Sequence, residues 1–268
     1  MTLQLLICTY NDGIKQLPAM LLPPLAGVSY LVSWQQAAGY VPCAPPQELD
    51  RDDVSVFPLE GLGLSRNRNN CLLHATGDVC LICDDDCRYT PEGLAAVVKA
   101  FEAHPEVDIM TFKLFNRAEP KTYPRYSFDL RDMTKVKNYF ITSVEIAFRR
   151  VAVQNKLLFD ERFGLGSGVF HAGEEAMFID EALRLGLSCF FFPIEVVEQI
   201  GCTTTTTRLL DEKVLMANGA VLYMTYRPTM FLRALLVAWR LKRGHHVPFL
   251  YGLRSILKGI VKMRQLSS

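Results

Sequence analysis

Three carboxylates stand side by side at Asp84, Asp85 and Asp86, directly after the apolar run Val79-Cys80-Leu81-Ile82-Cys83. A run of this kind, set off by the breaker Thr76-Gly77-Asp78, forms a buried parallel strand. Adjacent carboxylates at the end of such a strand repel one another and are costly to desolvate. A divalent cation offsets that cost. Mg²⁺ and Mn²⁺ take hard oxygen ligands, often one or two carboxylates together with substrate phosphates. Upstream, Gly61 to Asn69 is a glycine- and arginine-bearing turn that opens a helix through Ala75, with Ser65 expected as its N-cap. In open α/β sheets ligands bind just beyond the carboxyl ends of strands, where these acids would stand.

The order Gly63-x-Ser65-x-x-Arg68-Asn69, a helix, Gly77-Asp78, an apolar strand and Asp84-Asp85-Asp86 resembles the inverting family 2 glycosyltransferases of the GT-A fold. The likeness covers about residues 3 to 200. It implies an α/β fold, a GT-A nucleotide-diphospho-sugar transferase sandwich with a central, mostly parallel sheet. In that family the first acid of the motif contacts the ribose or phosphate side of a sugar nucleotide. The last binds the metal that bridges the diphosphate, and the arginine of the turn faces the nucleotide. By resemblance Asp84 and Asp86 take the carboxylate roles, both near the metal, and Arg68 the third, with Ser65 and Asp85 beside the nucleotide. The cofactor implied is Mg²⁺ or Mn²⁺.

The elements that must position these residues follow in order. Leu3 to Cys8 reads as a buried strand ending at Thr9-Tyr10-Asn11-Asp12-Gly13. The family has a similar TYN near base and ribose, so Thr9, Tyr10 and Asn11 are carried over. Ile14 to Leu22 is expected as a short helix cut by Pro23-Pro24, and Val28 to Gln35 as a second strand. Many family members end that strand in acids that contact the base. Here Trp34-Gln35-Gln36 stands instead, and Gln35 is expected in that place because an amide both donates and accepts. Val54 to Phe57 is a short strand. Thr90 and Pro91 begin a helix through Ala103. Val107 to Leu114 and Ile141 to Arg149 read as strands, with Glu145 facing the site. The aromatic and charged stretch Asn116 to Lys137 is expected to bind the acceptor or form a lid.

A second acidic pair, Glu174-Glu175, follows Gly173 and opens a helix through Leu185. Alone, two acids in a first turn complement the helix dipole. Together with the Asp84 to Asp86 stretch the pair resembles the family's Gly-Glu-Asp motif, whose second acid is the general base. That residue is Glu175, with Glu174 beside it. Gly164, Gly166 and Gly168 follow no clean strand and are not read as a dinucleotide fingerprint. Many members carry a later histidine that completes the metal shell. None stands there, and His171 is the nearest candidate. Thr203 to Thr207 could line the acceptor or the diphosphate.

Composition agrees with a globular chain. Of 268 residues, 50% are hydrophobic and 21% charged. No apolar run reaches a membrane span, and Met1 to Tyr10 has no basic leader pattern. Eight scattered cysteines lack framework spacing and are expected reduced in a cytoplasmic protein. Residues 1–212 hold 19 Lys/Arg against 28 Asp/Glu, a net −9, and are expected as the catalytic domain, with a nucleotide-sugar half to about 115 and an acceptor half beyond. Residues 213–268 hold 10 Lys/Arg and no acid.

Within this tail Pro228 to Leu241 is an apolar helix with Arg233 and Arg240 on one face. Phe249 to Arg264 is a second, with Leu250, Leu253, Leu257 and Ile260 opposite Arg254, Lys258 and Lys262. Such a tail suits the anionic inner face of a cell membrane, and hence a lipid-linked or glycan acceptor. No aromatic platform accompanies the charge, so nucleic acid is not expected.

The activity expected is metal-dependent, inverting transfer from a nucleoside-diphosphate sugar, UDP-sugars favoured, to an acceptor hydroxyl in polysaccharide biosynthesis. Three rival readings stand beside it. Nucleotidyl transfer would need a basic signature between Thr9 and Gly13, which is absent. A zinc module would use Cys80, Cys83, Cys87 and His74, but an odd separation in a strand points Cys80 and Cys83 to opposite faces. A non-catalytic sugar-nucleotide binder would keep the motifs without turnover.

Overall fold

Leu3 to Tyr10 forms strand β1, and every residue but the last is buried, as in a central strand covered on both faces. The computed structural model describes residues 1–116, 131–133, 141–200, 208 and 210–267. Most of the stretch 116–137 and all of Thr203 to Thr207 lie outside the described residues. The chain divides into two compact units. One comprises residues 1–62, 66–159 and 181–201, the other 63–65, 160–180 and 202–268.

The first unit is a mixed α/β layer structure around one sheet. Its strands are β1, β2 (Val28–Gln36), β3 (Val54–Glu60), β4 (Val79–Asp84), β5 (Cys87–Tyr89), β6 (Ile109–Asn116), β7 (Arg131–Asp132), β8 (Ile146–Arg149) and β9 (Cys189–Gln199). The order is β3-β2-β1-β4-β8-β6-β9-β5, with β7 paired to β9. β1 to β4 are mutually parallel and β6 is parallel to β9, while β8, β5 and β7 pair antiparallel to their neighbours. Leu5, Ile7, Val32, Leu81, Met110 and Phe112 form one apolar face, closed by Leu94, Val97 and Phe101 of α2 (Pro91–Ala103). Thr90 caps α2 by accepting from Gly93 N, with Pro91 in the first turn as expected. Helix α1 (Leu64–His74) and the short α3 (Arg150–Val153) flank β4 and β8 in sequence.

Local expectations change in two places. Asn11 to Ala19 is a 3-10 helix, where an α-helix through Leu22 was expected; Pro18 lies inside it and supplies no N–H. The first half of the strand expected from Ile141 is a 3-10 turn, Ser143–Glu145, closed by a Thr142/Glu145 capping box. The Glu145 carboxylate is buried and accepts from Thr142 N at 2.6 Å. β9 runs through Pro193 to Gln199, and the ladder to β6 shifts register between Thr111 and Leu114, opposite that proline.

The second unit is helical. It holds the start of α1, the first turns of α4 (Glu174–Arg184), then α5 (Glu212–Thr225), α6 (Met230–His245) and α7 (Phe249–Leu266). α6 and α7 match the two tail helices read from the sequence. α5 had no strong amphipathic signature to reveal it: its buried face includes the small residues Ala217, Gly219 and Ala220 beside Val214, Leu215 and Leu222. It crosses α7 at glycines. A Cβ on Gly219 would meet the backbone of Ile256, and one on Gly259 the backbone of Met216. Phe163, Phe170, Met177, Ala217, Ala220 and Met263 form this unit's main core.

Candidate active site

β1 and β4 lie side by side in parallel with Cys8 opposite Asp84, so Thr9 and the acidic turn emerge from the same edge. Thr9 Oγ1 donates to Asp85 Oδ2 at 2.7 Å. The approach is close enough that Gly13 cannot carry a side chain without striking both Asp85 Oδ2 and Thr9 Oγ1. Asp84 Oδ1 accepts from the Arg68 guanidinium at 3.1 Å. Asp86 Oδ2 accepts from Gln199 Nε2 at 3.1 Å, and the Asp86 carbonyl accepts from Ile200 N at 3.1 Å. Burial pushes the Asp85 carboxyl above its ordinary value; Asp84 and Asp86 add to this, and the Thr9 hydrogen bond only partly opposes it. Burial, then the charge of Asp84, raises Asp86 in the same sense.

Helix α1 presents four successive polar residues to this edge. Asn67 Nδ2 donates to the Thr9 carbonyl at 3.0 Å. Arg68 is buried, donates to Ser143 Oγ at 2.6 Å and lies 5.5 Å from the Phe159 ring centroid. Asn69 donates to the Phe159 carbonyl, and Asn70 to Ser33 Oγ. Sequence reasoning named Arg68 alone from this run. The regular Arg-Asn-Arg-Asn-Asn spelling of a helix beside a buried strand was the available signal. Ser143, Phe159, Gln199 and Gly13 were not singled out, and nothing local marks them.

Tyr10 is 45% exposed at the end of β1. Asn11 takes a left-handed φ of 47°, its carbonyl accepting from Trp34 Nε1 at 2.8 Å and its Oδ1 from Ala37 N at 2.9 Å. Gln35 is buried in β2, in register with Tyr10. Ser65 is not an N-cap: α1 starts one residue earlier. Leu64 N donates to the Leu165 carbonyl, and the buried Ser65 hydroxyl donates to the Phe163 carbonyl at 2.7 Å.

Glu174 and Glu175 belong, at the start of α4, to the second unit. Glu174 is buried, with its carboxyl carbon against Gly164, which has a φ of 92°. Glu175 is half-buried and is the more accessible carboxylate of the pair. His171 Nδ1 pairs with Asp211 Oδ2 at 2.9 Å. Burial would raise Asp211, but hydrogen bonds from His171 and Lys213 N outweigh it and hold the carboxyl below its ordinary value.

The donor set of the acidic turn fits a hard divalent cation. Two of its three carboxyls are buried enough to resist ionisation, a cost that a cation removes. Among the described residues no three His, Cys, Asp or Glu side chains converge on one point. Protein would therefore supply one or two oxygens, the usual arrangement for Mg²⁺ shared with phosphates. The zinc arrangement is overturned. The Cys80 and Cys83 thiols donate to the Gly77 and Leu81 carbonyls. Among the described residues Cys80, Cys83, Cys87 and His74 do not gather as a metal site.

Residues 33–157 match the family described as glycosyl transferase family 2. With the strand order and acidic turn above, that match supports a family 2 glycosyltransferase with a GT-A fold. Among solved structures it is similar to Staphylococcus aureus TarS, with a TM-score of 0.57 and 15% identity over 91% of this chain. It spans 43% of that TarS chain. It also resembles TarS 1-349 in complex with UDP-GlcNAc, with a TM-score of 0.57 and 13% identity, covering 97% of this chain and 72% of that one. Another similar structure is TarS 1-349 in complex with UDP, with a TM-score of 0.57, 15% identity, and coverage of 92% and 72%. No curated protein matches the chain.

Proposed function

We propose that this glycosyltransferase moves a sugar from a nucleoside diphosphate, UDP-sugars favoured, to a hydroxyl of a glycan or lipid-linked acceptor, with inversion at the anomeric carbon. The observation that carries the donor assignment is the acidic turn at the end of β4, with Arg68 buried against Asp84. The similar TarS structures hold UDP and UDP-GlcNAc, which supports a uridine donor here. Asp86, with Asp84, would hold Mg²⁺ or Mn²⁺, which supplies Lewis-acid neutralisation of the departing diphosphate. Arg68 keeps a positive charge on the same carboxylate edge and orients Asp84. Tyr10 offers an exposed ring at the nucleotide end of β1, while Thr9 and Asn11 fix the turn beneath it.

Glu175 takes the proton from the acceptor hydroxyl as its oxygen attacks the anomeric carbon. The new carbon–oxygen bond forms on the face opposite the leaving group. The electron pair of the broken bond departs with the nucleoside diphosphate, so one displacement inverts the centre. The basic tail suits attachment to an anionic membrane surface, where a lipid-linked acceptor would be held.

The test is a thermal-shift panel of UDP-, GDP- and dTDP-sugars with Mn²⁺. A ligand that binds the folded state raises the midpoint. A UDP-sugar is expected to raise it in the wild type and to leave Asp86→Ala unmoved. If no nucleotide raises the midpoint in the presence of metal, the donor assignment is wrong.

A further inference from the structure

α6 carries apolar side chains on two sides. Ala234 and Ala238 are fully buried, and Val237 and Leu241 pack with them against α7. Away from that packing stand Phe231 at 59%, Leu232 at 63%, Leu235 at 46%, Leu236 at 48% and Trp239 at 49% exposed. At ~100° per residue these five fall in an arc of roughly 140°. Lys242 and Arg243 extend the same arc at the C-terminal end, and the Arg243 guanidinium lies 5.3 Å from the Trp239 ring centroid. Arg233 and Arg240 run along one flank of the row. α7 bears a shallow groove of about 770 Å³ of its own, lined by Leu250, Leu253, Leu257 and Val261 with Met216 of α5, and by Arg254, Lys258, Lys262 and Gln265.

Charge decides what covers this face. Residues 213–268 contain ten cations and no acid. Glu212 pairs with Lys258 at 2.5 Å. A second copy meeting it through the same face would bring the same cations and be repelled. An anionic surface is attracted by all of them, at short range and in a salt-dependent way. No helix among the described residues is long and apolar enough to cross a bilayer. An apolar row flanked by arginines and ended by a tryptophan matches a helix lying in the plane of the lipid interface, with its cations reaching back to the headgroups.

We propose that α6 is the membrane-inserting element. Phe231, Leu232, Leu235, Leu236 and Trp239 enter the acyl boundary of an anionic bilayer, and Arg254 and Lys262 of α7 hold its headgroup phosphates. The inference rests on the proposed membrane-held acceptor only for its purpose, because vesicle binding needs neither donor nor turnover.

The experiment is sedimentation of the full chain with phosphatidylcholine vesicles containing or lacking phosphatidylglycerol, at low and high salt. Binding is expected only to the anionic vesicles and is expected to fall with salt. Leu235→Glu/Leu236→Glu is expected to lose at least ~10-fold in partition, since each buried charge opposes insertion. Arg254→Gln/Lys262→Gln is expected to lose ~10-fold on anionic vesicles alone. Trp239 emission should shift to the blue and be quenched by brominated acyl chains, a signal absent in Trp239→Phe. That optical readout needs no folded Glu variant. Equal binding by the Glu variant, equal binding to neutral vesicles, no quenching, or loss of a dimer in place of vesicle binding would each overturn the proposal. A nucleotide panel with no shift alongside intact vesicle binding would instead sink the donor reading alone.

Discussion

Arg68 is where charge, burial and the acidic turn meet, so its removal is informative. Its side chain is 2% exposed, and that of its partner Asp84 is 29% exposed. Arg68→Met keeps most of the apolar stem but removes the guanidinium, including its contact with the Phe159 ring. It leaves the Asp84 carboxylate and the Ser143 hydroxyl without that donor. Breaking a fully buried pair costs about 3–5 kcal/mol. Water can still reach Asp84 in part, which puts the expected loss near the lower end, about 3 kcal/mol. In a domain of this size one kcal/mol moves the midpoint by about 2–4 °C, so the variant should melt roughly 6–12 °C lower. The assay is thermal unfolding by circular dichroism in metal-free buffer. Asp84→Asn and the double variant complete a cycle, and the double loss should fall short of the sum by about 1–2 kcal/mol. A drop below about 2 °C, or strict additivity, would refute the idea that Arg68 chiefly serves that carboxylate.

Glu175→Gln should keep the nucleotide thermal shift and lose turnover by at least ~100-fold, the low end for a general base; normal turnover would move the role to Glu174. Asp85 and Asp86 have raised folded values relative to the ordinary 3.8, so their contribution to stability is fully present below that value and is lost as pH rises through the folded ones. Relative to Asp85→Asn/Asp86→Asn, the metal-free wild type should therefore lose stability from about pH 4 upward while its Mn²⁺ affinity rises over the same range, read by melts of both proteins with and without metal; no difference between them would count against this pairing. Gly259→Ala should cost about 1–3 kcal/mol or more, because its methyl meets the Met216 backbone, and chemical denaturation would reveal it as a lower midpoint.

The sheet was legible wherever strands are buried on both faces. Leu3 to Cys8 and Val79 to Cys83 read as apolar runs because no solvent face interrupts them. The acidic turn was legible because three adjacent carboxylates have few uses. Elements decided by distant partners were hidden. Ser65 spells an N-cap, yet the chain at Phe163 to Leu165 receives both its hydroxyl and the Leu64 amide, so the helix begins earlier. Ile141 to Glu145 spells a strand, yet a local Thr142/Glu145 exchange bends it into a turn. α5 escaped notice because its packing rests on glycines, which carry no hydropathy signal. Gln199 could not be foreseen beside Asp86, since only the closing strand brings it there.

That closing strand sets an order of assembly. The side-chain donor to Asp86 lies 113 residues further along the chain. β5, immediately after the acidic turn, finds its ladder only in β9. During synthesis at ~5–20 residues per second the acidic turn thus waits roughly 6–23 s for its partners. Until then Asp86 lacks its side-chain donor, while Asp84 and Asp85 already have Arg68 and Thr9 upstream of them. The part of the molecule that is first to look chemical in the sequence is among the last to acquire its final form, and a nascent chain cut short of Gln199 should leave the ribosome with Asp86 lacking its side-chain donor.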